Sequence, residues 1–69
     1  MSEVTFHVPT AFCPHCRYTL EQAVGNLRGV ARVAVDLVRQ TVTVQYDPAA
    51  LEGEAIRQRI EGAGFPVVE

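Results

Sequence analysis

The sequence has no lysine and no tryptophan, and its six basic residues are all arginines that lie apart from one another. A protein that binds nucleic acid usually shows a basic stripe with aromatic side chains between the charges, and no such stripe is present. The net charge of −2 is also too small to indicate a strongly charged partner. The composition therefore argues against binding to nucleic acid.

Long apolar runs are also missing from the chain. The longest are only a few residues, far short of the roughly 20 that a membrane-spanning helix needs. The first residues show no basic stretch followed by an apolar one, so no secretory signal is visible. We therefore expect a cytoplasmic protein without membrane insertion, in which both cysteines remain as thiols.

The chain is short, and its 69 residues predict a single domain that spans residues 1–69. A chain of this size buries only about 60% of the surface that its unfolded form exposes, which leaves no room for a deep pocket. A site for one ion, however, needs only two or three ligands on a loop. No Ser/His/Asp set, carboxylate pair or phosphate-binding glycine loop is evident. We therefore expect a binding protein and not an enzyme.

The spacing of apolar residues predicts six elements in the order βαββαβ. The predicted strands cover residues 4–8, 33–37, 42–46 and 65–68, and the predicted helices cover about 14–28 and 51–62. Gly29 would stop the first helix, and the turn at 38–40 would join two strands in a hairpin although it lacks glycine and asparagine. This order predicts an α+β, ferredoxin-like fold in which two helices cover one face of a four-stranded antiparallel sheet.

The segment Cys13-Pro14-His15-Cys16 is the part of the sequence with chemical content. Cys13 is predicted to lie in the loop after the first strand and Cys16 in the first turn of the helix, so that both sulfurs can converge on one point. The positive end of the helix dipole favours thiolates there. It also offsets the net negative charge that two thiolates leave on a monovalent ion. The motif therefore predicts a metal site with Cys13 and Cys16 as ligands.

With these residues the chain resembles the heavy-metal-associated domain family, in particular its CopZ-type bacterial copper chaperones. The residues that carry the resemblance are Cys13-x-x-Cys16, Gly29-Val30-x-x-Val33-x-Val35, Val42-x-Val44-x-Tyr46-x-Pro48 and Ala63-Gly64-Phe65. The resemblance implies that both cysteines bind copper(I). It also implies delivery of the ion to a copper-transporting P-type ATPase or to its soluble metal-binding domain. We expect a monomer, or a dimer bridged by a shared metal ion.

The sequence departs from the family pattern around the motif. Thr10 and Ala11 stand where members usually carry Gly and a buried Met. Phe12 stands where zinc and cadmium members often have an Asp, and because it offers no oxygen ligand it favours a soft ion of low coordination number. Phe65 takes a loop position where bacterial members usually show Tyr. We expect Phe12, His15 and Phe65 to form an outer shell, with the two phenylalanines shielding the sulfurs from water.

Two alternatives remain open for the same cysteines. Cys-Pro-His-Cys also occurs in strongly oxidising thioredoxin-fold enzymes, so the chain could be a small dithiol redox protein. That fold needs a longer chain and a different order of strands. The thiols could also carry mercury or zinc. His15 is expected to point away from the ligands, and His7 to be a solvated strand residue.

Overall fold

A computed structural model describes residues 1–11 and 13–68 of the chain. Its elements are β1 (Ser2–His7), α1 (Pro14–Gly25), β2 (Val30–Asp36), β3 (Thr41–Tyr46) and α2 (Gly53–Gly62). The strands form an antiparallel sheet in the order β1-β3-β2, with β3 at its centre. The first five predicted elements are thus confirmed in kind and order. No helix in the described ranges is long and apolar enough to cross a membrane.

The core lies between the sheet and the two helices. Strand residues of alternating position supply one side of it, since Phe6, Val42 and Val44 are buried while their neighbours along the strands are more exposed. Leu20 and Val24 of α1 and Ile56 and Ile60 of α2 supply the other side and are fully buried. Both helices therefore cover one face of the sheet, as the sequence predicts.

The first helix is shorter than predicted. It ends at Gly25, three residues before the predicted end at Arg28, and Asn26 caps it with its N–H on the carbonyl of Gln22. Gly29 instead serves the turn into β2, where its φ of +98° is in the left-handed region that favours glycine. A Cβ at Gly29 would also lie 3.0 Å from the Cβ of Ala50. This glycine is needed for a tertiary contact and not for the end of the helix.

The prediction of a fourth strand at residues 65–68 is wrong. Val68 makes a single antiparallel bridge with His7, donating its N–H to the His7 carbonyl at 2.8 Å. The reason is a shortage of donors in this segment. The N–H of Phe65 already bonds to the carbonyl of Ile60 at the end of α2, and Pro66 has no N–H to give. The sheet therefore has three strands among the described residues, and the last segment touches its edge at one point.

The hairpin between β2 and β3 is confirmed, and its turn is closed without glycine. Asp36 accepts hydrogen bonds on Oδ1 from the N–H groups of Val38 and Arg39, each at 3.0 Å. Gln40 then takes a φ of +58°, in the left-handed region that side-chain-bearing residues rarely adopt. An aspartate that bonds to the turn's backbone and one unusual glutamine thus replace the expected glycine or asparagine.

Candidate metal centre

The two cysteines lie where β1 passes into α1. After β1, the N–H of Ala11 donates to the carbonyl of Val8 at 3.0 Å and closes a tight turn. Cys13 follows as the N-cap of α1, with extended backbone angles (φ −125°, ψ 155°). Pro14 begins the helix, where its missing N–H costs nothing, and Cys16 lies in the first turn. The predicted positions of both cysteines are confirmed.

The structure brings the two sulfurs together. Cys13 and Cys16 are paired as a disulfide, with their Cα atoms 5.2 Å apart. The backbone N–H of Cys16 also donates to Sγ of Cys13 at 3.2 Å, so the same sulfur caps the helix. The expectation of two free thiols is corrected, because the spacing that lets two sulfurs converge on one ion also lets them bond to each other. Addition of two electrons and two protons gives the dithiol.

The electrostatic environment of the sulfurs is set by the start of α1. The N–H groups of the first turn have no carbonyl partner within the helix and carry a partial positive charge, and this turn holds no acidic residue that would oppose a negative ligand. Arg17 is the nearest basic residue along the helix, and it pairs with Glu21 at 3.3 Å on the exposed surface. The start of the helix therefore favours the thiolate form of the cysteines.

Among the described residues, the cysteines have no third side-chain ligand of the usual kinds nearby. Within residues 1–11 and 13–68, no three side chains from His, Cys, Asp and Glu come together in a way that could hold a metal ion. His15 is exposed, in keeping with the outward direction predicted for it, and its carbonyl accepts the hydroxyl of Thr19 at 2.9 Å. His7 is exposed on β1 as expected. Any additional ligand would therefore come from outside the described side chains.

The other predicted residues of the outer shell are only partly described. Phe12 lies outside the described residues. Phe65 is half-buried against the same core cluster as Cys16. Its position follows from the end of α2, where Gly64 has a φ of +96° and Phe65 donates to the carbonyl of Ile60 at 3.3 Å, the pattern of a Schellman cap. The shielding role of both phenylalanines stays a prediction.

Ala11 and Gln40 fix the segment that leads from β1 to Cys13. Ala11 is fully buried, although it is a small residue in a loop. Gln40 was missed in the sequence because it is distant from the motif along the chain, yet its side-chain amide reaches the carbonyl of Pro9 at 2.8 Å. The one signal that could have pointed to it is a turn without glycine or asparagine.

Comparisons with known proteins agree with this geometry. The model of the family described as "Heavy-metal-associated domain" matches residues 5–66. Copper chaperone CopZ of Staphylococcus aureus is 34% identical over 68 residues, which cover 99% of this chain and 100% of that protein. Copper-transporting ATPase 1 of Rattus norvegicus is 43% identical over 54 residues, or 78% of this chain. These residues span only 4% of the length of the ATPase.

A solved structure, "CopZ metallochaperone", superposes with a TM-score of 0.93 at 33% identity and covers 97% of this chain and 100% of its own. The resemblance predicted from the residues is thereby confirmed. The chain belongs to the heavy-metal-associated domain family.

Proposed function

We propose that the chain is a copper(I) chaperone that holds one ion between the thiolates of Cys13 and Cys16. The observation that carries this proposal is that two sulfurs converge at the start of a helix. Among the described residues, no group of three His, Cys, Asp or Glu side chains forms a metal site. Thiolates are soft ligands that suit copper(I). Zinc instead prefers four ligands, and this loop offers two.

Binding requires the reduced form of the pair. The disulfide takes up two electrons and two protons to give two thiols, and the thiols then lose their protons as the ion binds. A disulfide offers no thiolate. The proposal therefore places the working protein in a reducing compartment such as the cytoplasm.

We further propose that the chain delivers its ion to a copper-transporting ATPase. The similarity to a copper chaperone along its whole length, and to a short segment of an ATPase named for copper transport, supports a partner with the same fold. Two ligands suit transfer, because a thiolate of the partner can join the ion before one of the chain's own sulfurs leaves. The chain binds and hands over an ion in this scheme, and acts as no enzyme.

Copper(I) titration of the reduced chain against a competing chelator, without oxygen, tests the proposal. One equivalent should bind tightly. The disulfide form is the matched control and should bind none. A reduced chain that loses the competition at every chelator concentration, or an oxidised chain that competes equally well, would contradict the two-thiolate site.

The disulfide in the structure favours one second candidate, a small dithiol redox protein. Such a protein would catalyse reduction or oxidation of disulfides in other proteins. Turnover of a model disulfide substrate by the chain, in the absence of copper, decides between the two. We expect no turnover above the rate of a simple dithiol at equal concentration.

A further inference from the structure

Gln40 joins the β2–β3 turn to the start of the loop that carries Cys13. The N–H of Val8 donates to the backbone carbonyl of Gln40 at 2.7 Å. The side-chain Nε2 of Gln40 donates to the carbonyl of Pro9 at 2.8 Å, across 31 residues of sequence. One residue therefore bonds to two consecutive positions of the segment that leads to the metal centre.

The backbone of Gln40 is in a conformation that glutamine does not favour. Its φ of +58° would suit glycine or asparagine, which reach the left-handed region at little or no cost. The side chain is half-buried and bonds within a part-buried region, so it does not extend freely into solvent. Gln40 keeps this unfavourable conformation while it makes two tertiary hydrogen bonds. A glycine could make the backbone bond to Val8 but not the side-chain bond to Pro9.

Further hydrogen bonds and one buried residue fix the segment between Gln40's partners and Cys13. Val8 and Pro9 are held by Gln40. Ala11 closes the turn on Val8 at 3.0 Å and is fully buried. Cys13 follows two residues later and joins this segment to α1, because its carbonyl accepts the N–H of Arg17 at 3.2 Å and its Sγ accepts the N–H of Cys16. Cys16 lies within α1 and packs against the core. The separation of the two sulfurs is thus set from the loop side and from the helix side.

We propose that Gln40 is a positioning residue for the metal centre, whose side-chain amide on the Pro9 carbonyl keeps Cys13 opposite Cys16. The metal part of this inference rests on the proposed function, but the placing of the sulfurs does not depend on the ion. Without the amide the loop samples positions in which Cys13 is withdrawn. The apparent affinity then falls in proportion to the fraction of molecules in the competent arrangement. Loss of one hydrogen bond should therefore weaken the apparent affinity for copper(I) by about 3- to 10-fold.

Two variants and one matched control test the role in copper binding. Gln40→Glu keeps the length of the side chain but cannot donate to Pro9. Gln40→Gly suits the left-handed backbone and keeps the backbone bond to Val8, so it is expected to fold. Gln45→Ala is the control, because it removes a glutamine amide that bonds to Glu3 at 3.2 Å on the exposed face of the sheet, outside the loop.

Chelator competition at 25 °C should show about 3- to 10-fold weaker copper(I) binding for both Gln40 variants and no change for the control. Thermal melting separates this role from a merely structural one, which would lower Tm and leave the affinity unchanged. Wild-type affinity in both Gln40 variants would overturn the proposal.

A second measurement needs no copper. The reduced chain reacts with glutathione disulfide to give the chain's own disulfide and two molecules of glutathione, so that two electrons pass from the protein to the reagent. The equilibrium constant of this exchange should fall by about 3- to 10-fold in both Gln40 variants, because Cys13 meets Cys16 less often. If the wild type binds no copper(I), the proposed function fails, and a lowered constant still supports positioning. An unchanged constant in both variants overturns it.

Discussion

Replacing Cys13 by serine and by alanine should separate its role as a ligand from its role as a helix cap. Sγ of Cys13 accepts the N–H of Cys16 at 3.2 Å from an N-cap position with extended backbone angles. Serine can accept the same hydrogen bond and is among the best N-cap residues, whereas alanine cannot accept it. Exchange of a good cap for alanine typically costs about 1 kcal/mol. We therefore expect Cys13→Ser to be about 1 kcal/mol more stable than Cys13→Ala.

The two variants should lose copper(I) binding equally. Each lacks one of two ligands, so the affinity should fall by more than roughly 100-fold, beyond the loss usual for outer-shell changes. The difference in stability corresponds to a gap of about 4–8 °C in Tm for a domain of this size. Circular dichroism melts of the metal-free variants and chelator competition measure the two effects. The reasoning is refuted if Cys13→Ser binds copper like the reduced wild type, or if it melts no higher than Cys13→Ala.

Three further outcomes follow from the structure. Gly29→Ala should lower the free energy of unfolding by at least about 1–2 kcal/mol because of its left-handed φ and the contact with Ala50; urea titration measures it. Gly25→Ala, with open space around it, is the control and should be neutral or stabilising. Zinc should bind to the reduced chain only by bridging two molecules, and a four-sulfur zinc site that elutes as a dimer would agree, whereas a four-coordinate site in a monomer would not. The hydrogen bond from Arg57 lowers the pKa of Glu54 below its usual 4.5. The contribution of this pair to stability is therefore complete above about pH 4.5 and is lost as the pH falls further. The free energy of unfolding of Glu54→Gln, measured against pH, should lack this loss.

Much of the fold could be predicted because its signals are local. Val42 and Val44 alternate with polar residues, and Leu20 and Val24 recur at helical spacing. These patterns indicate which side chains face the core, whatever the arrangement of the elements in space. The positions of both cysteines follow from the same kind of signal. Cys13-Pro14 marks the start of a helix, since proline suits its first position, and a spacing of three residues brings Cys16 back within one turn.

The ends of the elements could be predicted less well, because they depend on competition for hydrogen bonds. Residues 65–68 have the composition of a strand. The Phe65 N–H is nevertheless taken by α2, and Pro66 has none, so one bridge at Val68 is all that forms. Gly29 is of a residue type that often ends a helix, yet α1 ends at Gly25. Gly29 lies in the turn into β2, where its φ is left-handed and a Cβ would meet Ala50, a residue of another segment.

The sequence by itself thus determined the order of the first five elements, the face that each buries and the site of the cysteine pair at a helix start. These follow from interactions within a few residues. Only the tertiary structure shows that Gln40 bonds to Pro9, that Ala11 in the loop is fully buried, and that the two sulfurs meet as a disulfide. The first two depend on segments that are distant along the chain and meet only after folding. The third depends on the redox state of a pair whose geometry suits both a bond and a shared ion.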